Sequence, residues 1–176
     1  MIEFKPWPKI IRIENKRKPV FTEKIDGTNA CVVIDEEGYI GAQSRNKFIF
    51  PHDDNFGFAK WVEDNKEDLL TLGPGHHYGE WWGRGIGRNY DQTERFFSLF
   101  NCGLWGEHNP NTPKCCKVVP ILTDNITFEN LFSSLNACVV SLQTNGSKLE
   151  LNYMRPEGMI VYNHLTNTYY KVILDK

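Results

Sequence analysis

The stretch FTEKIDGTNACVVI, residues 21–34, constrains the fold more than any other part of the chain. Behind Gly27 comes a run rich in β-branched and small apolar side chains, Ala30, Cys31, Val32, Val33 and Ile34, which reads as a strand with a buried face. Lys24, Asp26 and Gly27 stand where that strand begins. A lysine there is either the solvated flank of a strand or a nucleophile held in a pocket. The partner strand follows at once, because TNACVVID and YIGAQSR flank EEG, a hairpin with a short turn.

The remainder alternates short strands with two helices. Phe58, Trp61, Val62, Leu69 and Leu70 recur at near-helical spacing in GFAKWVEDNKEDLLTL, predicting one amphipathic helix closed by Gly73-Pro74-Gly75. HHYGEWWG and RFFSLFNCGLWG are aromatic strands separated by the loop RGIGRNYDQTE. TFENLFSSLNACVVSL predicts a second helix capped by Thr127. EGMIVYN and TYYKVIL form a closing hairpin through HLTN. The expected class is α+β, largely antiparallel sheets flanked by helices. At 176 residues, with no repeat or linker-like stretch, a single domain over 1–176 is expected.

Composition excludes several classes. No stretch approaches the roughly 20 apolar residues needed to cross a bilayer. The charged N-terminus lacks a signal peptide's apolar core, so a cytoplasmic protein with no membrane partner is expected. Five cysteines without a CxxC pair read as reduced thiols rather than a zinc site. The net charge of −2 argues against an indiscriminate nucleic-acid binder. Charge is uneven, however: residues 1–18 carry six cations against two acids, either a solvated surface or a track for phosphates.

Lys-x-Asp-Gly alone is a weak signal. Its company strengthens it: Ser44-Arg45 at the end of the second strand, Tyr78-Gly79-Glu80, Phe100-Asn101 closing an aromatic strand, Glu157-Gly158 opening an apolar one, and Lys171 on the last. Each stands at the mouth or in the interior of a strand, where side chains can converge on one cleft. The glycine-rich GRGIGRNY does not follow a strand-to-helix turn, which excludes a dinucleotide fingerprint.

This ordered set resembles the covalent nucleotidyltransferase superfamily of polynucleotide ligases and mRNA capping enzymes. EKIDGTN, YGE, FSLFN, EGMIV and YYKVI are similar to five of its motifs, and Asn29 and Ser44-Arg45 are most like RNA ligases of phage and kinetoplastid-editing type. The resemblance runs from PKIIRI to KVILDK. It implies a nucleotidyltransferase (ATP-grasp-like) domain and an ATP-dependent RNA ligase. Such an enzyme forms a lysyl-AMP intermediate, passes AMP to an RNA 5′-phosphate and seals it to a 3′-hydroxyl, with magnesium or manganese. Lys24 becomes the nucleophile; Asp26 serves the strand-joining or metal-linked chemistry, and Glu157 lies near metal or Lys24. Glu23, Ile25, Gly27, Arg45, Glu80 and Phe100 line the nucleotide, Glu80 at the ribose and Phe100 stacked on adenine. Asn29, Arg45, Arg84 and Arg88 face RNA.

One motif departs from the pattern. Ile173 occupies the second lysine position of the last motif, which leaves Lys171 and Lys176 as alternatives at the α-phosphate. Almost nothing follows Lys171, so no accessory C-terminal domain is expected. A GTP-using capping-type guanylyltransferase and a non-catalytic nucleic-acid binding relic are the competing readings. The natural RNA and the oligomeric state are not fixed by the sequence; a phage- or virus-like enzyme of RNA repair is the expectation.

Overall fold

The structure is a computed structural model that describes residues 18–127, 129–164 and 166–174. In chain order the elements are β1 (Val20–Lys24), β2 (Thr28–Ile34), β3 (Ile40–Ser44), β4 (Phe48–Ile49), α1 (Phe58–Asp64), α2 (Lys66–Leu69) and β5 (Gly75–Gly83). There follow β6 (Arg95–Leu99), β7 (Cys116–Val118), β8 (Ile121–Thr123), α3 (Leu131–Asn145), β9 (Gly158–Asn163) and β10 (Thr168–Ile173). They form a six-stranded sheet in the order β4-β3-β2-β5-β6-β7 and a four-stranded sheet in the order β10-β9-β1-β8. All pairings are antiparallel except β6 with β7. The expected α+β class of largely antiparallel sheets is the class observed.

The β2–β3 hairpin closes as its sequence dictates. The Asp35 carboxylate accepts the N–H groups of Glu37 (3.0 Å) and Tyr39 (2.8 Å), and Gly38 takes the left-handed conformation at φ 83°. One face of the larger sheet, with Ala30, Val32, Ala42, Trp81 and Phe97, packs against Phe58, Val62 and Leu69 from α1 and α2.

The helix expected over 58–72 breaks in the middle. Asn65 has φ −110° and its side-chain amide donates to the Trp61 carbonyl at 2.8 Å, competing with the helical ladder. The segment therefore becomes two short helices and a 3-10 turn over Leu70–Leu72, with Gly73 at φ 75° beyond it.

The second helix starts later than its sequence suggests. Thr127 does not cap α3: its hydroxyl accepts the Asn130 N–H (3.3 Å) while Asn130 Oδ1 accepts the Thr127 N–H (2.6 Å). That reciprocal pair closes a turn of its own, and the helix begins behind Asn130. Cys138 and Leu142 of α3 then pack with Phe21, Met159 and Val161 on one face of the four-stranded sheet.

Strand alternation decides which side chains look away from α3. On β1, Phe21 and Glu23 face the helix side, whereas Thr22 and Lys24 face the other. The register Thr22↔Ile160↔Lys171 places Lys171 on the Lys24 face, and Lys24↔Gly158↔Ile173 puts Ile173 in the row of Lys24 itself. The strands β4, β7 and β8, only 2, 3 and 3 residues long, carry no period that sequence reading could detect.

Candidate active site

Lys24 ends β1, and the pairing of Lys24 with Gly158 brings the residue preceding β9 to its side. That residue is Glu157. Its carboxylate forms an ion pair with the Lys24 ammonium, the two side chains being 23% and 16% exposed. A cation this enclosed is no solvated strand flank.

Glu80 enters from the larger sheet. It is 8% exposed, lies opposite Asn29 on β2, and accepts a hydrogen bond from Asn29 Nδ2 at 3.3 Å. Burial pushes its carboxyl up to about 7; Lys24 and the Gly27 N–H oppose that shift, and Glu157 and Asp26 add to it. The site thus holds a carboxyl poised to change charge near neutrality beside the Lys24–Glu157 pair.

Gly27 is glycine for a packing reason. A Cβ there would lie 2.6 Å from the Trp81 carbonyl oxygen and 2.8 Å from Glu80 Cγ. Close approach to β5 requires the missing side chain, and it brings Glu80 to the lysine loop.

Next to Glu80, one face of the six-stranded sheet carries Asn29, Cys31, Gln43, Arg45, Tyr78 and Phe100 around a shallow, open cleft. Phe100 is 40% exposed there, and its N–H donates to the Tyr78 carbonyl at 3.0 Å. The cleft therefore unites three residues singled out from sequence, Asn29, Arg45 and Phe100. Lys171 is exposed, on the Lys24 face. Lys176 and the basic residues up to Arg17 lie outside the described residues.

Three of the residues expected at the nucleotide or the RNA have side chains engaged elsewhere in the protein. Glu23 is 1% exposed, and its carboxylate accepts Ser147 Oγ (2.6 Å) and the N–H groups of Lys148 (2.7 Å) and Leu149 (2.9 Å). Its side chain ties β1 to the segment behind α3 instead of lining a nucleotide. Ile25 is 5% exposed in a cluster with Trp82, Tyr90, Val119 and Tyr153, so its side chain is core. Arg88 does not reach into solvent: its Nε pairs with Asp26 Oδ2 at 3.2 Å and its Nη1 donates to the Arg155 carbonyl at 3.0 Å. Arg84, by contrast, is exposed.

Sequence reading missed Tyr90. Its ring is 1% exposed, and its hydroxyl accepts the Asp26 N–H at 2.9 Å. Nothing local marks it, since only the path of the 84–94 loop brings it to Asp26.

A lysine at a strand end, paired with a glutamate from the neighbouring strand's start and standing beside Glu80 of the larger, largely antiparallel sheet, is the arrangement of a nucleotidyltransferase-type domain. The RNA ligase family model matches residues 17–172, and the chain belongs to that family. Solved structures agree on the fold. An RNA ligase mutant of Naegleria gruberi with ATP and manganese superposes with a TM-score of 0.59 at 22% identity, over 89% of this chain and 49% of that one. The same ligase with pyrophosphate gives 0.59 at 23% identity, over 89% and 49%. A further mutant with AMP and manganese gives 0.59 at 21%, over 89% and 49%. The chain spans about half the length of these structures. No curated protein matches it.

Proposed function

We propose that this protein is an ATP-dependent RNA ligase with Lys24 as its nucleophile. The observation that carries the reading is the Lys24–Glu157 pair, enclosed beside Glu80, whose partner Asn29 lines the cleft of Phe100 and Arg45. An ammonium has no lone pair and cannot attack phosphorus, so a base must first take its proton. Glu157 touches the ammonium and is placed to do so.

The Lys24 nitrogen then bonds the α-phosphorus of ATP and pyrophosphate leaves. An oxygen of an RNA 5′-phosphate next attacks that phosphorus and releases Lys24. Finally a 3′-hydroxyl oxygen attacks the 5′-phosphorus and AMP departs. Phe100 offers a face for adenine, where stacking contributes about 1–3 kcal/mol. Glu80 and Asn29 offer polar atoms for the ribose. Lys171 and Arg45 bring positive charge to the phosphates, and the role of a second cation in place of Ile173 falls to Lys176.

Among the described residues no group of three or more His, Cys, Asp or Glu side chains is arranged to hold a metal ion. Magnesium does not need one, because it is commonly held by one or two carboxylates together with substrate phosphates. The donor set fits that habit, with Glu157 as the carboxylate beside Lys24 and Asp26 committed to Arg88. When bound, the metal neutralises charge developing on pyrophosphate. The solved Naegleria ligases with ATP, AMP or pyrophosphate, several also with manganese, support the same reading of this fold. We also infer a cytoplasmic setting, in keeping with cysteines that are free among the described residues.

The test is the intact mass of the chain after incubation with each of the four nucleoside triphosphates and magnesium, followed by sealing of RNA with 5′-phosphate and 3′-hydroxyl ends. The expected result is an AMP adduct from ATP and a joined strand. A GMP adduct from GTP alone would instead make it a capping-type guanylyltransferase. The absence of any adduct would leave a nucleic-acid binding relic.

A further inference from the structure

The loop that follows β5 converges on a single residue. It leaves Gly83 and returns through Gly85 (φ 75°) and Gly87 (φ 50°), then through Asn89, Tyr90 and Asp91 at φ 52°, 53° and 56°. Three consecutive L-residues in the left-handed region are strained and persist only where surrounding contacts hold them.

Those contacts are specific. The Tyr90 ring lies 5.3 Å from Trp82 and 4.7 Å from Tyr153, centroid to centroid, and is buried. Its hydroxyl accepts the Asp26 N–H at 2.9 Å, and Arg88 Nε pairs with the Asp26 carboxylate at 3.2 Å. A Cβ on Gly87 would come within 2.6 Å of the Asp26 carbonyl oxygen, so the loop presses directly on that residue. Arg88 Nη1 also donates to the carbonyl of Arg155, two residues before Glu157, and the Arg88 carbonyl accepts the Tyr153 hydroxyl at 3.3 Å.

The loop therefore grips both segments that meet at Lys24: residues 24–27, which supply the ammonium, and residues 153–157, which supply the carboxylate beside it. The two are far apart in sequence; the Lys24↔Gly158 strand pairing, the packing of Ile25 with Tyr153 and the Lys24–Glu157 pair join them, and this bridge adds the polar contacts that orient them. A group that must approach phosphorus in line depends on such orientation, and a misplacement of about 1 Å can cost on the order of a hundredfold in rate.

We propose that Tyr90 and Arg88 are positioning residues for lysine adenylylation, holding Asp26 and the 153–157 segment so that Lys24 and Glu157 stay aligned on the α-phosphate. This rests on the reading of Lys24 as the nucleophile. Strain in 89–91 is the cost of aiming the Tyr90 hydroxyl and the Arg88 guanidinium at one residue from the same side.

The experiment is single-turnover formation of the lysyl-AMP adduct as a function of ATP concentration in the wild type, Tyr90→Phe, Arg88→Lys and Arg88→Ala, with thermal melting of each. Tyr90→Phe keeps the ring and removes only the hydroxyl. Arg88→Lys keeps the charge and cannot span Asp26 and Arg155 together. The expected result is a maximal rate lower by about tenfold in both conservative variants, with half-saturating ATP within about twofold and melting close to wild type. In Arg88→Ala the loss is larger, and added guanidinium ion partly restores the rate. Wild-type rates in Tyr90→Phe and Arg88→Lys, or losses that only follow melting temperature with no rescue by guanidinium, would overturn the proposal while the ligase reading stands. A wild-type protein that forms no adduct would overturn both.

Discussion

The Lys24 ammonium lies against the Glu157 carboxylate, a contact between residues 133 positions apart in the chain. Strand β1 brings the first and the start of β9 brings the second, so the pair exists only when the four-stranded sheet has formed. Its partial enclosure makes Lys24 the group whose removal should be decisive. Lys24→Ala is expected to abolish the nucleotide adduct while leaving the far-ultraviolet circular dichroism unchanged. Lys24→Arg should fail equally, because a guanidinium stays protonated. Intact-mass measurement after incubation with ATP and magnesium checks both, and a normal adduct in either variant would remove Lys24 from the mechanism.

Glu80 predicts a pH signature. Its carboxyl titrates near 7 in the folded protein against the usual 4.5, because burial disfavours the charged form. The folded state therefore binds more protons than the unfolded state between those values, and stability contributed by this group falls as pH rises from about 4.5 through 7. Glu80→Gln removes the titration. Its melting temperature should approach or exceed that of wild type above pH 7, and the wild type should gain on it as pH falls toward 5. Parallel melting curves across that window would contradict the assignment.

Gly27→Ala tests the close approach of the lysine loop to β5. The added methyl would overlap the Trp81 carbonyl and the Glu80 stem, and neither the strand backbone nor a buried carboxylate can move freely. Overpacking of this kind costs about 1–3 kcal/mol. A fall in the denaturant midpoint is expected, together with lost adenylylation. An unchanged midpoint would mean that the loop relaxes without penalty.

Phe100 separates binding from stability. Phe100 is 40% exposed at the cleft, so Phe100→Ala removes less packing than truncation of a core aromatic would. Loss of a stacking face worth about 1–3 kcal/mol should raise half-saturating ATP by roughly fivefold to a hundredfold, with a smaller fall in melting temperature than a core truncation gives. Titration of ATP against adduct yield is the measurement. Unchanged ATP dependence would move adenine elsewhere, with Tyr78 the neighbouring ring to test.

The sequence by itself determined the strands whose apolar period is plain, Thr28–Ile34 with its hairpin partner and the closing pair ending at Ile173, and the ordered residues Lys24, Glu80, Phe100 and Glu157 that mark the family. These are local properties: alternation, turn residues and motif spacing survive in a one-dimensional reading. Tertiary structure decided the rest. Asn65 broke a helix through a side-chain bond that periodicity does not register, and the Thr127–Asn130 pair moved a helix start by the same kind of competition. Glu23 neighbours the nucleophile in sequence, yet strand alternation turns its side chain to the opposite face, where Ser147 and two backbone N–H groups hold it. Arg88 looked like a cation free for phosphate until the fold of its loop brought it onto Asp26. In each case the deciding partner lies on another element or in a non-local turn. The energy of a buried charge or an unpaired amide depends on that partner, which no window of sequence contains.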